Sequence, residues 1–373
     1  MQTCNVKRLV RFTLGILLCG PAVFSAQAAF TNLYVFGDGA STTTNNTILF
    51  PSPTNYYGQR FCNGRVWVEV LAQRQGLTLY STNNWSYYNN FSATTNTGPL
   101  VTNVSNFQAP TNATNALFVI WVNSADLIDD LGLFVTNIAP WTNAINLAQT
   151  NHFKAITNLY AKGARTLIMP GAVDITAVPE FANTNLAFRN FIRQRCIDYN
   201  TAFSNTLNRA KATCTNLTIY EPDFFTLLNN LLTNAAAYGL TNALDDRGVS
   251  IDALADKNLT NKSTNGPGAN YIFWDDEDPT AKVHALMANA AQQLISPVRI
   301  SKITWLGGSN RLDVTNMPIG QNGLVVGRTN LVLGNWTTNA NFNSTNATQS
   351  IFVTNSGPWW FYRLSFPFTW AWP

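Results

Sequence analysis

The sequence predicts an α/β fold with a doubly wound, mostly parallel sheet flanked by helices, followed by a small antiparallel β-sandwich domain. Apolar runs of strand length alternate with helical patterns over roughly residues 30–295, as in sheets whose parallel strands are connected by helices. After Ser296-Pro297 the pattern changes to short alternating strands separated by turns rich in glycine and asparagine. A chain of 373 residues is long enough to form both units.

The elements of the first unit follow from their apolar patterns. Three runs predict buried parallel strands: Leu33–Phe36, Ala116–Trp121 and Thr166–Met169. Helical periodicity predicts five helices: Val66–Gln75, Ala144–Lys162, Leu186–Ala210, Phe224–Leu232 and Thr280–Leu294. Ligand sites in such sheets lie beyond the carboxyl ends of the strands. We therefore expect the site at Gly37–Ser41, at Asn123–Asp126 and in the loop after Met169.

The second unit is predicted from three further runs of strand type: Leu324–Arg328, Ser350–Thr354 and Trp360–Phe366. We place the domain boundaries at 29–297 and 298–373. Through Val326–Leu331, Asn335-Trp336 and Phe361–Arg363, the second domain resembles the fibronectin-like C-terminal modules of exported bacterial proteins. Such a module is either a structural appendage or a means of attachment to surfaces or glycans.

Residues 1–28 have the pattern of a secretory signal peptide. A basic start is followed by the apolar stretch Phe12–Val23, and Ala26-Gln27-Ala28 forms a cleavage site of small residues. This pattern predicts a secreted or cell-surface protein that is cleaved near Ala28. No later segment of the sequence is long and apolar enough to be a transmembrane segment.

Composition excludes some partners and leaves others open. The net charge is only +4, and the sequence has no basic stripe with interleaved aromatic residues, so we expect no nucleic-acid partner. No Cys/His spacing indicates zinc, and we expect neither a metal nor another cofactor. Cys196 and Cys214 are either a disulfide pair or, with Cys62, buried thiols.

Four ordered blocks carry a family resemblance: Val35–Ser41, Arg60–Glu69, Val119–Asp126 and Phe273–Thr280. They resemble the SGNH, or GDSL, hydrolase family, in its branch of plant-type lipases and secreted bacterial lipase or haemolysin-like esterases. The family has Phe-Gly-Asp-Ser-Leu-Ser in the first block, Arg-Phe-Ser-Asn-Gly in the second, Gly-x-Asn-Asp in the third and Asp-x-x-His-Pro-Thr in the fourth. The resemblance implies an SGNH-hydrolase-like fold for roughly residues 30–295.

The resemblance also implies a site for ester hydrolysis, with a serine nucleophile, a histidine base and oxyanion donors. At the matching positions this chain has Gly39 for the nucleophile and Asp278 for the base. The oxyanion-hole positions are the Gly39 N–H, Asn123 in place of glycine and Ala125 in place of asparagine. Only Asp275, which would orient the histidine, is retained.

These substitutions predict a pseudoenzyme. Glycine offers no nucleophile, and an aspartate with an ordinary pKa of about 3.9 is a poor base for a serine hydroxyl. Loss of serine or histidine alone costs about a millionfold in turnover. Ser41 is the candidate substitute nucleophile, with a helix N-cap as its structural alternative. His152 and His284 are expected to be structural.

Three further residues, Asp38, Asn63 and Asp126, are expected in the pocket. The run Asp275–Asp278 is either a cation site, a carboxylate pair that activates water or, as we expect, a solvated acidic loop.

The sequence thus predicts an exported protein that binds a glycan or acyl ligand without cleaving it. Two alternatives remain open. The first is an active ester hydrolase, carboxylesterase- or lipase-like, with rearranged catalytic groups, and the second is a structural or adhesive surface protein. The identity of the ligand, the role of the C-terminal module and the oligomeric state are not determined by the sequence.

Overall fold

The computed structural model describes residues 30–43, 55–93, 98–131, 136–182, 184–354 and 360–373. The predicted signal peptide, residues 1–28, lies outside the described residues. Across the described ranges, no helix combines the length and the apolar character needed to cross a bilayer.

Four parallel strands form the central sheet, in the spatial order β1-β2-β3-β4. They are β1 (Leu33–Gly37), β2 (Leu117–Trp121), β3 (Thr166–Ile168) and β4 (Thr218–Tyr220). Every residue of β1 and β2 is buried, as expected for parallel strands that are covered on both faces. The three predicted strands are confirmed. The fourth strand, which has three residues, was not predicted.

Eight α-helices surround this sheet in the described ranges: α1 (Trp67–Arg74), α2 (Pro99–Asn106), α3 (Asn123–Leu131), α4 (Ile138–Ala161), α5 (Pro179–Ala182), α6 (Leu186–Thr213), α7 (Phe224–Thr233) and α8 (Ala281–Ile295). The five predicted helices are confirmed. Helix α4 begins earlier than predicted because the Asn137 side chain caps it, accepting a hydrogen bond from the Ala139 N–H at 3.0 Å.

The sheet separates two apolar cores, because successive side chains of each strand point to opposite faces. Phe36 and Phe118 face one core, which also contains side chains of α4 and α6. Val35 and Val119 face the other, which contains side chains of α1, α7 and α8. The result is an α/β/α arrangement of three layers, and it confirms the predicted fold class for this unit.

Six further strands form two antiparallel sheets: β5 (Arg299–Trp305), β6 (Ser309–Thr315), β7 (Asn322–Arg328), β8 (Thr337–Asn343), β9 (Thr348–Thr354) and β10 (Phe361–Ser365). The spatial orders are β5-β6-β9 and β10-β7-β8. Leu312, Val314, Val325 and Val353 are buried between the two sheets. This small sandwich confirms the predicted second part of the fold.

The end of the chain returns to the α/β unit. Phe368 and Trp370 pack against the core that contains α1 and α8. The Trp372 indole N–H donates to the Asn63 carbonyl at 2.7 Å, and Arg65 donates to the Pro373 carbonyl at 2.9 Å. The last residues of the predicted second domain therefore contact the first domain.

The three cysteines of the described chain are buried free thiols. Cys196 lies within α6, and Cys214 caps the C-terminal end of that helix. At ~1.5 Å of rise per residue, the two positions are about 27 Å apart along the helix axis. A disulfide between Cys196 and Cys214 is excluded by this distance.

Candidate functional site

The turn after β1 forms one edge of the site. It is a short 3-10 segment, Gly39–Ser41, whose N-cap is Asp38. The Asp38 carboxylate accepts a hydrogen bond from the Ala40 N–H at 3.1 Å, and the Asp38 N–H donates to the Trp121 carbonyl at 3.1 Å. These bonds attach the turn to the end of β2.

A cavity of about 340 Å³ lies at the carboxyl ends of the strands. This volume is within the range of small-molecule sites, roughly 300–1,000 Å³. Gly39, Ala125 and Asp278, which are three of the positions where the family resemblance predicts substituted catalytic groups, all line the cavity. They come from the turn after β1, from the first turn of α3 and from the loop before α8. The fold thus brings together positions that are far apart in the sequence.

Most of the cavity wall is apolar. Its larger apolar side chains are Phe91, Trp121, Ile128, Ile175, Val178, Phe224, Leu227, Leu228, Leu231, Phe273, Val283 and Met287. Four of them, Phe224, Leu227, Leu228 and Leu231, form one stripe of α7. Their spacing is that of one face of a helix, and this spacing is the signal in the sequence for the apolar wall.

One side of the cavity is acidic, with Asp38, Glu277 and Asp278. The retained Asp275 lies behind them and does not line the cavity. Its Oδ1 accepts hydrogen bonds from the N–H groups of Asp278 at 2.7 Å and Glu277 at 3.2 Å. Its Oδ2 accepts one from the Tyr56 hydroxyl at 3.1 Å. Asp275 thus holds the loop that presents the other two carboxyls to the cavity.

Burial raises the pKa values of these carboxyl groups. The pKa of Asp38 is raised to about 7 and that of Asp275 to about 7, in both cases chiefly by desolvation. Desolvation also raises the pKa of Glu277 to about 9, with a further contribution from its hydrogen bond to Glu180. The pKa of Asp278 is raised well above its usual range by burial and by the neighbouring carboxylates. At neutral pH the cluster is therefore partly protonated.

The acidic run is not the solvated loop that we expected. Of its four residues only Asp276 is exposed, while Asp275 and Asp278 are buried. The reason is the Asp275 turn, which folds the run inward beneath Tyr56. Within the described ranges, no group of three or more His, Cys, Asp or Glu side chains is arranged to hold a metal ion.

Ser41 is fully buried and does not line the cavity. Its Oγ accepts a hydrogen bond from the Trp67 indole N–H at 3.0 Å. Ser41 is the last residue of the 3-10 turn, and the cap of that turn is Asp38. The expected N-cap role of Ser41 is therefore wrong, and its hydroxyl serves as the acceptor for a buried indole.

Of the three residues expected in the pocket, only Asp38 lines the cavity. Asn63 is buried beside the start of α8, where its Oδ1 accepts from the Ala281 N–H and its Nδ2 donates to the Thr264 carbonyl, each at 2.8 Å. Both bonds connect distant parts of the backbone, which gives Asn63 a structural position.

Asp126 also lies away from the cavity, in a buried polar network. Its carboxylate accepts hydrogen bonds from the hydroxyls of Ser92 and Tyr199, each at 2.6 Å. His152 adjoins this network, with its Nδ1 3.2 Å from the Ser92 Oγ and 2.9 Å from the Ala148 carbonyl. The network stabilises the packing of α3 against α4 and α6.

The second histidine, His284, is fully buried in α8, and neither ring nitrogen has a hydrogen-bond partner among the described residues. Desolvation lowers its pKa to about 3. Asn123 is likewise fully buried, and neither the oxygen nor the nitrogen of its side-chain amide has a hydrogen-bond partner within the described part of the chain. His152, His284 and Asn123 do not line the cavity, so the described wall contains no imidazole.

Ser124 is the serine on the described cavity wall, and it was not predicted as a site residue. Its Oγ accepts a hydrogen bond from the Val173 N–H at 3.3 Å. Its position between Asn123 and Ala125, in the third block, was the available signal. Glu277 was also missed as a wall residue, because its side-chain direction depends on the Asp275 turn.

Comparisons with known proteins agree with the positions of the blocks. A model of the family described as GDSL-like Lipase/Acylhydrolase matches residues 33–291. The chain is 23% identical over 266 residues to the thermolabile hemolysin of Vibrio parahaemolyticus, covering 68% of this chain and 60% of the hemolysin. It is 24% identical over 333 residues to a GDSL esterase/lipase of Arabidopsis thaliana, covering 74% of this chain and 85% of the relative. The match thus spans less than two thirds of the hemolysin.

Similar solved structures include a lipase from a goat rumen metagenome, with a TM-score of 0.40 and 9% identity over 71% of this chain and 98% of the lipase. Another is a gut microbial diltiazem-metabolizing enzyme, with a TM-score of 0.37 and 9% identity over 82% of this chain and 60% of the enzyme.

Proposed function

Because the chain belongs to the GDSL-like lipase/acylhydrolase family, whose model matches residues 33–291, we propose that it is an exported protein that binds an acyl ligand in the family's catalytic cavity without cleaving it. One observation carries the proposal. The substituted positions Gly39, Ala125 and Asp278 all line a single, mostly apolar cavity. The site for a ligand is retained, while the groups that would cleave the ligand are replaced.

The chemistry argues against turnover in this cavity. Ester hydrolysis by a serine requires a base within hydrogen-bond reach of its hydroxyl. Ser124 lines the cavity, but its Oγ is bonded to the Val173 N–H, and the described wall has no histidine to activate it. Ser41 and His284 are both fully buried elsewhere.

The composition of the wall favours an acyl chain over a glycan. Burying a methylene group on apolar side chains contributes about 0.8 kcal/mol. A sugar placed against Phe224, Leu228 and Met287 would lose water from hydroxyl groups without gaining hydrogen bonds, which costs free energy for each unpaired group.

The test combines turnover, covalent labelling and binding on one preparation. We expect no hydrolysis of long-chain p-nitrophenyl esters above the buffer rate and no serine labelled by a fluorophosphonate. We also expect saturable binding of a non-hydrolysable long-chain ether.

Two variants decide the result if turnover is found. Ser124→Ala removes the hydroxyl on the cavity wall, and Ser41→Ala removes the buried one and serves as the matched control. Turnover that is abolished by Ser124→Ala would establish the hydrolase alternative and contradict the proposal.

A further inference from the structure

We infer that the cavity selects amphiphiles that combine an alkyl or acyl chain with a cationic head group, such as a long-chain ammonium compound. The inference rests on the proposed function and specifies the class of ligand for the same cavity. It stands on three observations from the described residues: a buried carboxyl group that accepts no hydrogen bond, a cavity wall without Lys, Arg or His, and the aromatic and apolar character of that wall.

Asp278 is the first of these observations. Its side chain lines the cavity and is 9% exposed. Its backbone N–H donates to Asp275 Oδ1, but no residue in the described ranges donates a hydrogen bond to the Asp278 carboxyl group. A carboxylate buried in this way lacks the partner that such groups ordinarily have. A ligand with a positive charge would supply that partner.

The neighbouring charges have the same sign. Asp38 and Glu277 line the cavity beside Asp278, and Asp275 and Asp276 also act on it electrostatically. None of the ion pairs in the described ranges, such as that between Arg60 and Glu69, involves these carboxyl groups. No Lys, Arg or His among the described residues lines the cavity, and a bound cation would be attracted by several carboxyls at short range.

The rest of the wall fits the other half of such a ligand. The rings of Trp121, Phe224 and Phe273 line the cavity, and aromatic faces attract ammonium groups within about 6 Å. Leu228 and Leu231 extend the apolar surface along α7, where an alkyl chain would be buried. A charge at the acidic side and a chain along α7 are compatible with one elongated ligand.

The protonation of the cluster gives the inference a second signature. The charged or titratable groups that interact with Asp278 include the acidic residues Asp38, Asp275, Asp276 and Glu277. They also include Tyr56, Tyr88 and Cys62, whose pKa values are raised by burial, so that these three are neutral near pH 7. Burial raises the pKa of Asp38 to about 7 and that of Glu277 to about 9. A cation in the cavity favours the ionised carboxylates. Binding should therefore release protons near neutral pH, and the affinity for a permanent cation should increase as the pH rises from 6 to about 9.

The experiment compares three ligands with the same chain by titration calorimetry on the full protein: decyltrimethylammonium, decanol and decanoate. At pH 8 we expect the ammonium compound to bind at least about tenfold more tightly than decanol, with decanoate the weakest. Asp278→Asn should weaken ammonium binding about tenfold and leave decanol binding unchanged. Asp246→Asn, a change at an exposed carboxylate that does not line the cavity, is the control and should alter neither affinity.

The outcomes separate the inference from the function on which it rests. Equal affinities for the ammonium compound and decanol would overturn the charge inference and leave the proposed acyl site intact. Failure of all three ligands to bind would contradict both. If Asp278→Asn does not fold, Glu277→Gln supplies the same test. In the native protein, proton release on binding is measured by comparing the binding enthalpy in buffers of different ionisation enthalpy. Equal binding enthalpies, which mean that no proton is released, would also overturn the inference.

Discussion

We predict that placing the family's serine and histidine in this cavity would convert the protein into an esterase. The change is Gly39→Ser together with Asp278→His. A Cβ at Gly39 would lie 3.5 Å from the nearest ring atom of Phe61 and 3.7 Å from Tyr88, which are ordinary contacts, so the Cβ of a serine fits without displacing its neighbours. Asp275 already lies in the same turn as Asp278, where a new imidazole would need an orienting carboxylate.

The expected gain follows from known deletions. A serine–histidine pair is worth about a millionfold in turnover. The missing side-chain donor at Ala125 should reduce that gain by about 10²–10³, the cost of removing one oxyanion-hole donor. We therefore expect the double variant to hydrolyse p-nitrophenyl esters about 10³–10⁴ times faster than the native protein. Adding Ala125→Asn should recover a further factor of about 10²–10³.

The assay is ester turnover with the single variants as controls. Gly39→Ser or Asp278→His alone should gain less than tenfold, because nucleophile and base act as a unit. A fluorophosphonate should label the introduced serine only in the double variant. If the double and triple variants fold, as judged by thermal melting, and remain inactive, the assignment of this cavity as the family's catalytic position is refuted.

Three further predictions concern stability. Ser41→Ala should lower the free energy of unfolding in urea by about 1–3 kcal/mol, because the buried Trp67 indole loses its hydrogen-bond acceptor. Binding of an ether ligand should be unchanged, and an unaltered urea midpoint would contradict the prediction. Gly37→Ala should lower the free energy of unfolding by about 1–3 kcal/mol, because the added Cβ would lie 2.6 Å from the Ser41 Cβ, whereas Gly39→Ala should lower it much less. Equal losses of stability in the two variants would contradict the packing described for this turn. The pKa of Glu277 is about 9 in the folded protein and about 4.3 in the unfolded chain, so its protonated form contributes a stabilisation that is fully present below pH 4.3 and is lost as the pH rises toward 9. The free energy of unfolding should fall by at most about 1.4 kcal/mol per pH unit in this range. Thermal melting at several pH values should show a shallower decline for Glu277→Gln than for the native protein, and identical pH profiles would show that this group does not contribute.

Much of the α/β unit was predictable because its strands are continuous apolar runs and its helices are long and periodic. The Leu33–Phe36 and Ala116–Trp121 patterns define β1 and β2 to within a residue. Helix α3 was not predicted, because Asn123, Ser124 and Asp126 look like a polar loop after a strand. In the structure this helix begins directly at the end of β2 and buries Asp126.

The location of the site was predictable from the sequence because the fold determines where the strand ends meet. Strand ends converge in a parallel sheet, so Gly39 and Ala125 were expected to lie together. The burial of individual polar side chains was not predictable from the sequence. Asn63 and Asp126 are satisfied by the backbone of Ala281 and by Tyr199, which lie far away in the chain.

The central claim is that the cavity holds an acyl ligand and does not cleave it. Equilibrium dialysis with a radiolabelled long-chain ester, followed by separation of ester and free acid, measures both properties at once. The structure leads us to expect saturable binding, displaced by an unlabelled ether of the same chain length and weakened by Leu228→Gln on the cavity wall, with the ester recovered intact. Free acid in molar excess over protein, or an absence of saturable binding, would contradict the claim.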